Sequence, residues 1–115
     1  MGDKDAEPEA TLAITPRIHE AELGSLGRVV QGAEIGEVDA IARRSAGFDI
    51  VICGNDLRAN RRLAQRIENA AGSNKHQDPH RRAGRYALPH YQPEPRVRSG
   101  HSFYETRHRK AAKNP

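Results

Sequence analysis

The chain has little of what usually holds a small protein together. It contains one cysteine, no tryptophan and five other aromatic residues among 115. A lone Cys53 cannot close an internal disulfide or supply a Cys-rich zinc site, so both scaffolds are excluded. No apolar run approaches the roughly 20 residues that a membrane-spanning helix needs. No basic start leads into an apolar stretch, so the sequence reads as lacking a signal peptide. A Gly-rich phosphate loop, a Ser-centred nucleophile elbow and a Cys–His pairing are all missing.

What is present fits one small domain, with 36% hydrophobic and 30% charged residues. The net charge of +4 is unevenly spread. Residues 1–55 carry a balance of −5, and residues 56–115 a balance of +9. Five of the six histidines lie in the second half. A cationic, histidine-rich half points to a polyanionic partner, with a solvated basic surface as the alternative.

Residues 1–33 read as an acidic linker or leader. Thr15 and Pro16 resemble a helix start, so a short helix is expected after them. Residues 34–46 suit a helix with Ile35, Val38, Ile41 and Ala42 on one stripe and Arg43 and Arg44 at its end. The run Ile50–Cys53 is continuously apolar and β-branched, as in a buried central strand. Cys53 itself reads as an inert thiol at the strand end.

Asn55 or Asp56 caps a helix that runs to about Ala71, with Leu57, Leu63, Ala64, Ile67 and Ala71 inward. Arg58, Arg62 and Arg66 recur every fourth residue on another side, which reads as a solvated face. Residues 73–85 read as a loop. Strands are expected over Tyr86–Tyr91 and His101–Glu105, joined as a long-looped hairpin. The predicted fold is α+β, a small single domain with N-terminal helices packed on a short antiparallel or mixed sheet. The working unit spans 34–105, and 106–115 form a basic tail.

Chemistry gathers around Asp78-Pro79-His80, Leu88-Pro89-His90-Tyr91 and Gly100-His101-Ser102-Phe103-Tyr104. Each of these histidines adjoins Pro or Gly, where the backbone is constrained. Two imidazoles can divide general base and general acid roles near neutral pH. Candidate catalytic residues are therefore His80, His90 and His101. Arg81, Arg82, Arg85, Arg96 and Arg98 are candidates to hold a phosphate. Tyr91 and Tyr104 can stack on a base or donate to a phosphate. No cofactor is expected under this reading. A divalent metal on His80, His90 and His101 is the alternative, although the spacing matches no tight zinc signature. His19, His76 and His108 read as surface residues.

The stretches FDIVICGND, RRLAQRIENAAG, DPH, LPHYQPEP and GHSFYE together resemble the C-terminal toxin modules of Rhs-type and related bacterial polymorphic toxins. The similarity covers residues 34–105. It implies an antibacterial effector, delivered by a bacterial secretion system, that acts in the target-cell cytoplasm. It also implies a cognate immunity protein, which the basic half would require to be acidic.

Many such modules are compact metal-independent ribonucleases. By that resemblance His80, His90 and His101 form the active site, with Tyr104 and Arg85 as additions. The expectation is a monomeric ribonuclease toxin acting on RNA. A metal-dependent DNase acting on DNA, a non-enzymatic nucleic-acid-binding module and an NAD-dependent transferase remain open. A deaminase is disfavoured because its Cys-x-x-Cys zinc half is absent.

Overall fold

A computed structural model describes residues 15–72, 75–77, 87–93 and 99–113, with the backbone alone at 75 and 77. Two α-helices pack on one mixed sheet, which makes the fold α+β. The strands are β1 (Arg17–Leu23), β2 (Val29–Ile35), β3 (Ile50–Cys53), β4 (Lys75–Gln77), β5 (His90–Gln92), β6 (Ser102–Tyr104) and β7 (Ala112–Lys113). The helices are α1 (Glu37–Ser45) and α2 (Leu57–Ala71). Among the described residues the sheet order is β4-β5-β6-β3-β1-β2-β7.

The apolar run at Ile50 explains the centre of this order. Ile50, Val51 and Ile52 are all fully buried, so both faces of β3 are covered. On one face Ile50 and Ile52 pack with Ile18, Leu63, Ala64, Ile67, Tyr91 and Tyr104 beneath the helices. On the other face Val51 packs with Ala21, Val29, Leu88 and Phe103. β3 runs antiparallel to β1 and parallel to β6. β6 in turn runs antiparallel to β5, as the hairpin reading required.

The second helix begins where the sequence placed it. The Asp56 carboxylate accepts the Ala59 N–H at 3.1 Å, which satisfies one of the first-turn donors. Its buried side consists of Asn60, Leu63, Ala64, Ile67 and Glu68, while Leu57 is exposed. Among the described residues no helix is long and apolar enough to cross a membrane.

Several expectations are corrected. Pro16 leads into a strand, Arg17–Leu23, with β2 as its antiparallel partner, and the chain between them makes only a 3-10 turn at Ser25–Gly27. Burial along β1 does not alternate cleanly, since Ile18 and His19 are both buried and the pairing with β2 shifts register between His19 and Ala21. Residues 17–33 therefore belong to the sheet rather than to a linker, and the folded unit starts well before residue 34. In α1 the buried positions are Ala40 and Arg44, and Val38 is exposed. Residues 75–77, read as loop, form β4 at the sheet edge. Residues 112 and 113, read as tail, pair in parallel with Val30 and Gln31.

Candidate active site

The sheet sorts the predicted site residues onto opposite faces. Along β6, Ser102 and Tyr104 point to the helices and Phe103 points away from them. The register pairs His90 with Phe103 and Tyr91 with Ser102. His90 therefore lies on the face away from the helices, and Tyr91 lies beneath them. The His101 ring packs on Phe103 at 4.9 Å between centroids, on the same face as His90.

Three groups meet there. His101 Nδ1 lies 2.9 Å from Asp49 Oδ1. A carboxylate can only accept, so Nδ1 is the donor in this contact and Nε2 is turned away from the Asp49 oxygen. The His90 ring stands edge-on to His101, with centroids 4.7 Å apart. His90 Nδ1 lies 3.4 Å from Leu88 O, and its Nε2 lies 3.1 Å from Gln92 Oε1. Both ring nitrogens thus lie within reach of oxygen atoms, and the Leu88 carbonyl can only accept. The Asp49 and His101 side chains are about one-fifth exposed, so solvent reaches them.

The fold holds this constellation through backbone and buried charge. Asp49 directly precedes β3, and its carbonyl accepts from Ala21 N–H and from the Arg43 guanidinium. His101 directly precedes β6, and its carbonyl accepts the Ile50 N–H. Arg44 donates to Phe48 O at 2.8 Å and to Ser99 O at 3.1 Å, tying together the two loops that end at Asp49 and His101. Gly100 has φ +89°, and a Cβ there would run into the Arg44 guanidinium and stand 2.7 Å from Gly47 O. Gly47 and Arg44 therefore approach the backbone closely at this glycine, the constraint expected beside His101.

The tyrosines belong elsewhere. Tyr91 and Tyr104 are 2% and 3% exposed among the helix-side core residues. Tyr104 Oη lies 2.6 Å from His76 Nε2, and Tyr91 Oη accepts from Arg61 Nε at 3.2 Å. Neither tyrosine joins the His90–His101 pair, because side chains alternate across a strand. His76 is a partner of this buried cluster rather than a surface residue. His19 is also buried, with Nδ1 donating to Gly32 O at 2.9 Å.

His80, Arg81, Arg82, Arg85, Arg96 and Arg98 lie outside the described residues. So do Asp78, Pro79 and Tyr86. Among the described residues no group of three His, Cys, Asp or Glu side chains is placed to hold a metal ion. A depression of about 600 Å³ lies beside Asp49, lined in part by Glu20, Glu22, Arg43 and Phe48. Neither imidazole lines it, and its two glutamates disfavour a phosphate.

Sequence reasoning missed Asp49, Arg44 and Glu68. Asp49 had a usable signal, an acid set immediately before a buried strand. Glu68 had one too, since it falls on the apolar arc of α2 one turn after Ala64. Comparison of the chain with protein-family models, curated proteins and solved structures gives no match.

Proposed function

We propose that the chain is a metal-independent endoribonuclease, the toxic module of a polymorphic bacterial toxin. The observation that carries the catalytic reading is the Asp49–His101–His90 constellation. The toxin context comes from the sequence motifs. His101, oriented through Nδ1 by Asp49, takes the proton of a ribose 2′-hydroxyl on its Nε2. The 2′-oxygen attacks phosphorus, and the bond from phosphorus to the 5′-oxygen breaks. His90 gives a proton to that leaving oxygen, which yields a 2′,3′-cyclic phosphate and a free 5′-hydroxyl.

Arg81, Arg82, Arg85, Arg96 and Arg98 are the candidates to neutralise the charge that grows on the phosphate. His80 remains a candidate third histidine. The partners that go with this reading are RNA and an acidic immunity protein, and its place of action is the cytoplasm of a target cell.

Incubation with total RNA and with plasmid DNA, each with and without EDTA, tests the reading. RNA cleavage that survives EDTA is the expected result. Cleavage of DNA that vanishes with EDTA would establish a metal-dependent nuclease instead. Salt-sensitive binding without turnover of either would make the chain a binding module.

A further inference from the structure

The two helices treat their dipoles in opposite ways. α1 carries Glu37 and Asp39 in its first turn and Arg43 and Arg44 in its last, as the helix dipole favours. α2 carries no acid in its first turn and no base in its last. Instead Arg58 stands in the first turn, with Arg61 and Arg62 in the second, toward the positive end. Arg58 and Arg62 are also i, i+4 neighbours, which adds like-charge repulsion. Their fourth-residue neighbour Arg66 is neutralised by Glu37 at 2.7 Å. Arg58 and Arg62 have no ion-pair or hydrogen-bond partner among the described residues.

These arginines line a depression of about 280 Å³ with Arg61 and Gln65, and among the described residues no acidic or apolar side chain lines it. Arg61 also borders a second depression of about 350 Å³, which Leu57, Pro89 and Tyr104 line together with Thr106, His108 and Arg109. The two make a cationic track across the outer side of α2, on the helix side of the sheet. The His90–His101 pair lies on the other side.

We propose that this track binds the phosphate backbone of a single-stranded nucleic acid, as a second contact separate from the catalytic pair. A helix that places two cations near its own positive end, opposed there by the Asp56 cap alone, gives up local stability, and an external anion offsets that cost. Arg58 and Arg62 stand about 6 Å apart along the helix, a spacing that neighbouring phosphates of one strand can match. The planar guanidinium fork suits a phosphate oxygen pair. The depression at Arg58 and Arg62 is lined, among the described residues, by long polar side chains without the apolar anchors that a protein partner uses, which favours nucleic acid over an acidic protein at that point. The inference rests on the ribonuclease reading for its choice of RNA, but not on His90 or His101.

The test measures binding of a fluorescent single-stranded RNA oligonucleotide over a range of salt. The full chain carries His101→Ala, so that substrate stays intact. Adding Arg58→Gln and Arg62→Gln is expected to weaken binding about tenfold and to flatten the slope of log K against log salt by about 1.4, two phosphates' worth. Thermal stability of the same variant is expected to hold or rise, because two unfavourable helix charges are gone. Unchanged affinity and salt slope would overturn the proposal and leave a solvated face. A polyglutamate chain that binds as tightly as RNA, with the same dependence on the two arginines, would overturn it in favour of an acidic protein. Arginine-dependent RNA binding in a chain that cleaves no RNA would uphold the track while removing the ribonuclease reading.

Discussion

Arg44 and Glu68 face each other inside the domain with no solvent exposure on either side chain, joined by hydrogen bonds of 2.8 and 3.1 Å. Ser102 Oγ donates to the same Glu68 carboxylate at 2.7 Å. The pair therefore joins α1, α2 and β6 at one point. Removing one partner strands a buried charge. Arg44→Met or Glu68→Met is expected to cost about 3–5 kcal/mol in urea unfolding. The double replacement is expected to cost less than the two single losses combined, since no charge is left unpaired. Additive losses would show that the two residues do not act as a pair.

His90→Ala and His101→Ala are each expected to abolish RNA cleavage and toxicity while the circular dichroism spectrum stays native. Both side chains are partly exposed, so their loss opens no deep cavity. The double variant is expected to be no worse than either single one, because proton removal and proton delivery serve one step. Full toxicity in both single variants would end the assignment.

Asp49→Asn separates orientation from packing. The amide is nearly the same size, but it can offer its N–H₂ to the imidazole and favour the wrong tautomer. The expected loss is about 10²–10⁴-fold in kcat with little change in KM. A change confined to KM would place Asp49 in binding instead.

Cys53 is expected to resist alkylation in the native state. Burial, with the nearby Glu105 carboxylate adding to it, pushes the thiol up to about 12. At pH 8 the thiolate is then about one part in ten thousand, and thiolate is the reacting form. Iodoacetamide labelling followed by mass spectrometry should show slow modification that becomes fast in urea. Rapid native labelling would contradict the burial of this side chain.

The Glu37–Arg66 pair gives a small acid dependence. The Arg66 hydrogen bond holds the Glu37 carboxyl below its ordinary range, and the same bond raises Arg66. A carboxyl lowered on folding stabilises the native state above its unfolded value near 4.3. That contribution fades as the pH falls through the lower folded value. Both side chains are exposed enough to be screened, so it amounts to about 0.2–1 kcal/mol. In urea titrations Glu37→Gln should narrow the stability difference between pH 7 and pH 3 by that amount, and a wider difference would contradict the pairing.

Much of the architecture was legible in local pattern. The β-branched run at Ile50, the Asp56 cap and the Gly100 approach each have one physical cause confined to a few residues, and each is found in place. β1 differs from the expected helix because Thr15-Pro16 imitates a helix start, and the register shift between His19 and Ala21 breaks the alternation that would mark a strand. β7 has only two residues, and its pairing depends on a partner far away in the chain. The proposed catalytic pair was half legible. His90 and His101 sit beside residues that constrain their backbone, and both reach one face. Tyr104 and Tyr91 look equivalent to them in sequence, and only the parity of position along each strand sends them to the other side.

The placement of β3 has a kinetic consequence. Its two neighbours come from opposite sides of the chain, Ile18 beside Ile52 and Ile52 beside Tyr104, and Val30 waits for Ala112. Helix formation alone completes neither core. Folding must close long loops before those pairings reward it, which places this chain with slow topologies that take about milliseconds to seconds. Until Ser102–Tyr104 docks, one edge of the most apolar strand stays open, and His101 has not yet been brought to Asp49. A half-assembled chain therefore lacks the proposed catalytic pair, and the site forms only as the sheet closes.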